Sequence, residues 1–210
     1  MPPLPHRRTR MVPEARRDLI LDVTAQLVTT EGVSAVSMER VGREAQISKA
    51  LVYNYFPSRN LLLQALLMRE NRAYQIQQIK AAETATDLET MVRATTRAYL
   101  DQVAAKGVLI ERLMGEPAIA EAMGEIELIG RQQAIDYLLS RINADKALSA
   151  PLARMMVEVG LGITGAGGAY LDRTGCDIDL LEDMVVDMIL ASLRVTQERQ
   201  HLWRKGPEST

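Results

Sequence analysis

Apolar residues recur along this chain at three- and four-residue spacing over long stretches, the period of an α-helix with one buried face. Ile178, Leu181, Val185 and Met188 form one such stripe. Asn-Gly and Asp-Gly, the commonest signals of a β-hairpin, do not occur. Met, Leu and Ala are abundant, and all three favour helices. The pattern predicts an all-α fold of about nine helices.

Capping residues and helix breakers place the ends of these helices. Gly32 is a typical stop residue, and Ser37 and Ser48 can each cap a following helix. Thr86 and Glu89 have the spacing of a capping box, which predicts a helix start at Thr86. The predicted helices span residues 13–31, 38–45, 48–56, 58–82, 86–106, 108–114, 117–143, 149–172 and 177–201.

Charge divides the chain into two parts. The 210 residues carry 25 basic and 27 acidic side chains, for a net charge of −2, and 47% of them are apolar, as in a soluble globular protein. Residues 1–60 are net basic, whereas residues 61–210 are net acidic. Such asymmetry is typical of a nucleic-acid-binding end joined to a domain with another role. The asymmetry therefore favours a nucleic-acid-binding N-terminal part and a larger C-terminal part with another role.

Histidine and cysteine are too scarce for several kinds of chemistry. Cys176 is the single cysteine, and the two histidines, His6 and His201, lie near the chain ends. Ser-His-Asp or Cys-His catalysis needs an imidazole inside a formed site, and zinc is usually bound by Cys and His. We expect no catalytic site, metal or cofactor. The longest uncharged stretch, 159–171, is too short to span a membrane, so we expect a cytoplasmic protein.

Two short predicted helices between residues 37 and 60 have the spacing of a helix-turn-helix, whose second helix enters the DNA major groove. The second helix begins at Ser48, so its N-terminal end would meet DNA. The inner faces of the pair are apolar and comprise Met38, Val41, Ala45, Ile47, Val52 and Phe56. Donors suited to phosphate oxygens are Ser48, Lys49, Tyr53 and Tyr55.

These residues also carry a family resemblance. The run Val41-Gly-Arg-Glu-Ala, followed by Ile47-Ser-Lys-Ala-Leu-Val-Tyr-Asn-Tyr-Phe-Pro-Ser-Arg-Asn, resembles the TetR family of transcriptional repressors. The resemblance covers about residues 14–63. It implies a homodimer whose chain has a helix-turn-helix DNA-binding domain over 13–60 and a helical domain over 61–205 that binds a small-molecule effector and dimerises. The residues before them, 1–12, are predicted to form a basic disordered arm.

The resemblance also implies roles for single residues. Ser37, Lys49, Tyr53 and Arg59 match positions that contact phosphates in the family. The positions whose side chains face bases are Ala50, Leu51 and Asn54. By chemistry, Asn54 can pair with adenine, and Ala50 or Leu51 can touch a thymine methyl group.

The turn residue departs from the family pattern, and a group of arginines precedes the matching segment. Gln46 replaces the usual glycine of the turn, which predicts a strained backbone there. Arg7, Arg8 and Arg10 form a basic arm that could enter a minor groove, although such a tail is more often disordered without DNA.

A glycine-rich segment near the C-terminus reads Gly160-Leu-Gly-Ile-Thr-Gly. It matches a dinucleotide-binding fingerprint, but it lies in a helical pattern without the strand that such a site needs. Small residues instead let two helices approach closely. The last two predicted helices resemble the family's dimer-forming bundle, and the alternative is the core of a single protomer. The predicted interface residues are Gly160, Gly165, Gly168, Ile178, Leu181, Val185 and Met188.

The predicted effector pocket lies between residues 86 and 171. Methionine adapts to irregular shapes and suits a permissive apolar pocket. The candidate lining residues are Met91, Tyr99, Leu113, Met114, Met123, Ile126, Tyr137, Met155 and Met156. Arg112 is a candidate polar group of the pocket, with a surface position as the alternative.

The sequence therefore predicts a homodimeric repressor that binds a palindromic operator in double-stranded DNA and leaves it when a small apolar or amphipathic effector binds. One alternative is a helical bundle that sequesters a ligand or binds a partner without operator binding. Another is a helical-bundle enzyme that uses carboxylates among Glu111, Glu116, Glu121, Glu125 and Glu127. The Glu-x-x-His motif of di-iron bundles is absent from the sequence.

Overall fold

The computed structural model describes residues 12–142 and 148–203, and within these ranges it confirms the all-α prediction. The predicted arm up to residue 11 lies outside the described residues. No helix within the described ranges is both long and apolar enough to cross a membrane. The elements in chain order are α1 (Pro13–Glu31), a 3-10 turn (Val33–Ala35), α2 (Met38–Glu44), α3 (Lys49–Tyr55), α4 (Arg59–Glu83), α5 (Leu88–Met114), α6 (Pro117–Ile142), α7 (Ala150–Thr174) and α8 (Ile178–Trp203).

Side-chain caps open several of these helices where the sequence predicts them. The Ser37 hydroxyl accepts a hydrogen bond from the Arg40 amide at 3.1 Å, and the Ser48 hydroxyl accepts one from Leu51 at 3.2 Å. Each cap satisfies one of the backbone donors that the first helical turn leaves without a partner. The two caps fix where α2 and α3 begin.

The start of α5 differs from the prediction. The helix begins at Leu88, and its cap is Asp87 rather than Thr86. Asp87 Oδ1 accepts from the Thr90 amide at 2.8 Å, and the Thr90 hydroxyl accepts from the Asp87 amide at 3.1 Å. This reciprocal pair replaces the predicted box with Glu89. The hydrogen bonds from Thr90 hold the pKa of Asp87 below its ordinary value, because they favour the charged carboxylate.

The predicted break between residues 106 and 108 is wrong, since α5 is continuous from Leu88 to Met114. Gly107 has a packing role instead. A Cβ at this position would lie 2.6 Å from Asp172 Oδ1 of α7, so the glycine permits a close approach of side chain to backbone. A helical glycine costs up to about 1 kcal/mol relative to alanine, and tertiary packing offsets that cost here.

The described chain forms two compact units. The first unit comprises residues 12–69 and Leu109–Ala120, and the second comprises residues 70–108 together with the described residues from 121 to 203. The sequence places a boundary at residue 60, whereas the first unit takes in the start of α4 as well. Leu62, Leu63 and Leu66 of this segment are fully buried, which explains why it groups with the first unit.

Candidate nucleic-acid interface and ligand cavity

Helices α2 and α3 pack against each other through the apolar residues that the sequence predicts. Val41 and Val52 are fully buried, and Phe56 is 3% exposed. Met38 and Ala45 are buried as well, and Ile47 is half-buried. This core fixes the angle between the two short helices, which makes the pair a helix-turn-helix.

The turn between these helices has a strained backbone at the predicted position. Gln46 has a φ of 55°, in the left-handed region that favours glycine. This conformation costs a non-glycine residue on the order of 1 kcal/mol. The next amide, that of Ile47, donates to the Gly42 carbonyl at 2.9 Å and closes the turn. The strain is therefore held in place by a hydrogen bond to α2.

Gly42 is the point of closest approach between α2 and the α3 turn. A Cβ on this residue would lie 3.0 Å from the Ile47 carbonyl oxygen and 3.3 Å from the Lys49 amide nitrogen. Both neighbours are backbone atoms, so they cannot move aside as a flexible side chain can. The sequence alone predicts no role for Gly42, although its place before the turn is consistent with a close approach of two backbones.

Helix α3 and its capping residue Ser48 present an exposed surface. Ser48, Lys49, Ala50 and Asn54 are exposed, and Tyr53 is 44% exposed. Leu51 and Tyr55 are half-buried. The structure therefore places the predicted phosphate donors Lys49 and Tyr53 on the same short helix as the predicted base-facing residues, whereas Ser37 and Arg59 lie outside this helix.

The capping serines keep a hydroxyl proton available. Both Ser37 and Ser48 use their oxygen to accept a backbone hydrogen bond. A serine hydroxyl can donate one proton while it accepts, so each can still donate to a phosphate oxygen. The two side chains are exposed. Capping and DNA contact are therefore compatible at both positions.

Arg59 contacts residues of its own unit in this structure, whereas the sequence predicts that it contacts a DNA phosphate. Its Nε donates to the Val36 carbonyl at 2.9 Å and its Nη2 donates to the Val33 carbonyl at 2.8 Å. Its Nη1 lies 3.7 Å from a carboxylate oxygen of Glu116. The guanidinium thus ties the 3-10 turn to the start of α4 and is committed to internal partners.

Arg17 is a basic residue of α1 for which the sequence predicts no role. Its guanidinium lies over the ring of Phe56, 5.0 Å from the centroid, in a cation–π arrangement. Phe56 caps the C-terminal end of α3, and Arg17 is exposed. The contact places a positive charge beside the recognition helix. No local spacing links Arg17 of α1 to Phe56, so the sequence offers no indication of it.

Arg112 contacts α1 rather than an effector pocket. Its Nη1 donates to the Val28 carbonyl at 2.7 Å and to the Thr29 carbonyl at 3.0 Å. These carbonyls belong to the last turn of α1, where the Val28 carbonyl also accepts from the Gly32 amide at 3.0 Å. A cation at a helix C-terminus also interacts favourably with the helix dipole. This contact anchors the end of α5 to the first unit.

We expect Arg112→Met to lower the free energy of unfolding of the first unit by about 1–3 kcal/mol, because it removes a charged donor from two carbonyls. Thermal denaturation followed by circular dichroism would measure the change. The control is Arg131→Met, which alters an exposed arginine on α6. Equal melting temperatures for the two variants would contradict the assignment of Arg112 as an anchor.

The second unit contains a cavity of about 80 Å³. It lies among α5, α6, α7 and α8 and includes two predicted pocket residues, Met91 and Met156. The other lining residues are Leu88, Val92, Thr95, Thr96, Leu138, Val157, Gly160, Leu161, Thr164, Ile189 and Leu193. The walls are mainly aliphatic, with three threonines as the polar groups.

Two ion pairs to one buried carboxylate link α5 and α8, which both line this cavity. Arg93 and Arg97 of α5 reach the Glu182 carboxylate of α8, at 3.3 Å and 3.1 Å. Glu182 is 8% exposed. The carboxylate is paired with two guanidinium groups, as a buried charge requires. These contacts hold α5 against α8.

Most of the other predicted pocket residues lie elsewhere. Leu113 and Met114 belong to the first unit, and Met155 and Ile126 are exposed. Met123 is buried but does not line this cavity, and neither does the half-buried Tyr137. The methionine-rich composition indicates a pocket without indicating which helical faces form it.

Tyr99 packs against α7 instead of lining the cavity. A Cβ on Gly168 would lie 2.5 Å from the Tyr99 ring, so this glycine admits the ring. The Tyr74 ring meets Tyr99 edge-on, with centroids 6.2 Å apart. Burial raises the pKa of both phenols above the ordinary value. Gly168 thus permits a close approach between α7 and the Tyr99 ring of the same protomer, rather than between two protomers.

The predicted interface residues divide between the protomer interior and the surface. Leu181 and Val185 are buried in a core cluster of the second unit, with Ile178 packed against it. Gly160 lines the cavity. Gly165 is half-buried and has no atom near its Cβ position, and Met188 is 51% exposed. Five of the seven predicted interface residues, Gly168 among them, therefore serve the protomer's own packing.

A different set of residues on the same helices is unpartnered. We call this set the outer apolar face: Met155, Val159 and Tyr170 of α7, with Leu180, Met184, Met188 and Val195 of α8. Met155 and Val159 are four residues apart on α7, and Leu180, Met184 and Met188 are four residues apart on α8, so each group lies along one side of its helix. Exposure ranges from 42% for Val195 to 71% for Leu180. Exposed apolar side chains repeated along a helix are typical of interaction surfaces.

The carboxylates considered for an enzyme do not form a paired site in the described residues. Glu116 faces Arg59, and Glu111 and Glu121 are exposed. The side chains of Glu125 and Glu127 lie outside what the structure describes. No cluster of three metal-ligating side chains occurs among the residues searched. These positions give no support to the enzyme alternative.

Comparison with known proteins adds two kinds of finding. The family model of bacterial regulatory proteins of the tetR family matches residues 20–66, the segment that contains α2 and α3. The chain is 25% identical over 158 residues to the HTH-type transcriptional activator FasR of Mycolicibacterium smegmatis, which covers 74% of this chain and 71% of that protein. It is 27% identical over 142 residues to the HTH-type transcriptional repressor KstR of the same organism, with 62% and 64% covered.

Solved structures show the same fold. A transcriptional regulator from Pseudomonas aeruginosa PAO1 superposes with a TM-score of 0.75 at 13% identity, over 95% of this chain and 99% of that one. Fold similarity therefore extends well beyond the residues that the family model matches.

Proposed function

The chain belongs to the TetR family of bacterial transcriptional regulators, and we propose on this premise that it is a homodimeric repressor of a palindromic operator, released by an apolar or amphipathic effector. Its helix-turn-helix is the DNA-binding element. The observation that carries the proposal is the exposed surface of α3, on which Lys49, Tyr53 and Asn54 lie together.

In this proposal each exposed side chain of α3 has a role. Lys49 and Tyr53 donate to phosphates and set the register of the helix on DNA. Asn54 reads a base edge, and Ala50 or Leu51 touches a thymine methyl group. Phosphate contacts make the affinity fall steeply with salt, because each one releases counterions from the duplex.

Two recognition helices must reach successive major grooves, about 34–36 Å apart or a multiple of that distance. A two-fold dimer provides this spacing and matches a palindrome. The outer apolar face supports dimerisation, since its stripes on α7 and α8 have no partner in the described protomer.

Effector release would be a shift of population between two forms of the dimer. One form has its two α3 helices spaced for the operator, and the other does not. A ligand that binds the second form more tightly lowers operator affinity, and the size of the effect is set by the ratio of its affinities for the two forms. The cavity among α5 to α8 is the proposed effector site. The relatives of this chain include one named an activator and one named a repressor. We propose repression because the resemblance of the DNA-binding segment is to a family of repressors.

Selection from random duplex DNA, followed by sequencing of the bound pool, tests this function. We expect a palindromic consensus.

Tyr53→Phe should weaken binding to all sequences alike, by roughly tenfold in a dimer that carries two copies, because one phosphate hydrogen bond is lost per protomer. Asn54→Ala should change the preferred sequence at one position of each half-site.

The control is Gln133→Ala, which alters an exposed residue of α6. Unchanged binding and preference in the Tyr53 and Asn54 variants would refute the role of α3. A pool with no enrichment at low salt, together with specific ligand binding, would favour the alternative of a bundle that binds a ligand without binding an operator.

A further inference from the structure

We infer that the cavity among α5 to α8 takes an uncharged apolar molecule with a single hydroxyl or carbonyl group, and that it rejects a carboxylate with the same carbon skeleton. This inference rests on the proposed function only for its consequence at the operator. The ligand class itself follows from the cavity walls.

The walls offer no partner for a charge. Leu88, Leu161 and Ile189 are typical of the lining, and none of the lining side chains that the structure describes is ionisable. An ionised group moved from water into such a site loses its hydration and gains no counter-charge. A carboxylate or ammonium inside the cavity is therefore strongly disfavoured.

Two of the three threonine hydroxyls that line the cavity donate their proton to a backbone carbonyl. The Thr95 hydroxyl donates to the Met91 carbonyl at 2.8 Å, and the Thr164 hydroxyl donates to the Gly160 carbonyl at 3.0 Å. A hydroxyl has one proton and two lone pairs, so these oxygens can only accept a further hydrogen bond. They can receive a proton from a ligand hydroxyl, but they cannot donate to a carboxylate.

Thr96 is the remaining polar group. It is 2% exposed as a residue and lines the cavity, and its hydroxyl makes no hydrogen bond within the described residues. Every fully buried side-chain oxygen or nitrogen of the described residues has a partner, so the Thr96 oxygen is accessible from the cavity and can donate its proton there. A ligand oxygen that accepts from Thr96 would satisfy it. One oxygen function on the ligand is therefore matched by one free donor on the wall.

The size of the cavity favours a short aliphatic body. A cavity of about 150 Å³ holds benzene, and this one measures about 80 Å³. Met91 and Met156 contribute flexible walls that can yield to a longer chain. The Thr196 hydroxyl, which donates to the Ser192 carbonyl at 2.8 Å, also lies 3.2 Å from the Met156 sulfur and contacts that side chain.

The test measures binding to the full chain without DNA, by calorimetry and by the shift in melting temperature. The probes are primary alcohols, methyl ketones and carboxylates of four to ten carbons, compared at equal chain length and at pH 7. We expect the alcohol or ketone to bind about a hundredfold more tightly than the carboxylate, because burial strips the carboxylate of its hydration.

Variants then assign the polar contact. Thr96→Val removes only the hydroxyl and should weaken alcohol binding by roughly threefold to tenfold. Thr24→Val is the control, since Thr24 is a buried threonine of the first unit. Gly160→Ala should weaken all probes, since the added methyl takes up space in the cavity while lying an ordinary 3.7 Å from Ile189.

The outcomes separate this inference from the proposed function. A carboxylate that binds as tightly as its alcohol, a Thr96 variant that matches the Thr24 control, or no binding by any probe would overturn the inference, whatever the protein does with DNA. Alcohol binding with the expected Thr96 effect would uphold it even if no operator were found. Operator binding tested separately decides the regulatory function.

Discussion

We expect Leu180→Arg combined with Met184→Arg to convert the proposed dimer into monomers and to weaken operator binding at least a hundredfold. These side chains are 71% and 52% exposed and lie one turn apart on the outer apolar face. In a two-fold interface every substitution occurs twice, so four charges would face an apolar surface. A monomer binds one half-site and loses the gain in effective concentration that comes from linking two.

Sedimentation equilibrium would report the mass in solution, and titration of a fluorescent operator would report the affinity. Leu128→Arg is the matched control, because Leu128 is 68% exposed on α6, outside the outer apolar face. The control should remain dimeric and bind the operator normally. A double variant that stays dimeric would show that the outer apolar face is not the interface.

The fold was largely predictable because helical periodicity and caps are local properties of the sequence. Ser37 and Ser48 cap the helices that they were predicted to cap. The errors occur where tertiary contacts override local preference. Gly107 suggested a break in α5, but its lack of a side chain serves the approach of Asp172, which lies far away in the sequence.

The DNA-binding segment was predictable for the same reason. Its core, its turn and its exposed donors all lie within 24 residues, so spacing alone places them. The strained turn at Gln46 follows from one substituted glycine. Arg59 shows the limit: its position is the expected one, yet its guanidinium binds the Val33 and Val36 carbonyls, and those contacts cannot be read from the motif.

The interface and the cavity were harder because several faces of α8 are apolar. Leu181 and Val185 form one stripe, and Leu180 and Met184 form the next, about 100° around the helix. Both stripes have helical spacing. Only the packing of α7 and α5 distinguishes them, since it buries the first and leaves the second exposed. Periodicity identifies a helix but does not choose among its apolar faces.

We expect Gly42→Val to abolish operator binding by disrupting the α2–α3 pair. The added atoms would meet the Ile47 carbonyl oxygen at 3.0 Å and the Lys49 amide at 3.3 Å, and neither backbone atom can move without shifting α3. Overpacking of this kind costs about 1–3 kcal/mol. The turn is already strained at Gln46, so little tolerance remains. Operator affinity should fall more than a hundredfold, because the recognition helix loses its position.

The comparison with a second glycine separates this effect from a general cost of valine in a helix. Gly124 of α6 has open space at its Cβ position, so Gly124→Val should leave both operator binding and melting temperature nearly unchanged. Gly42→Ala should lie between the two, since a single methyl makes the same close contacts with less bulk. The second unit of the Gly42 variants should still bind its ligand. Normal operator affinity in Gly42→Val would mean that α2 and α3 can separate and still recognise DNA, contrary to the tight packing in the structure.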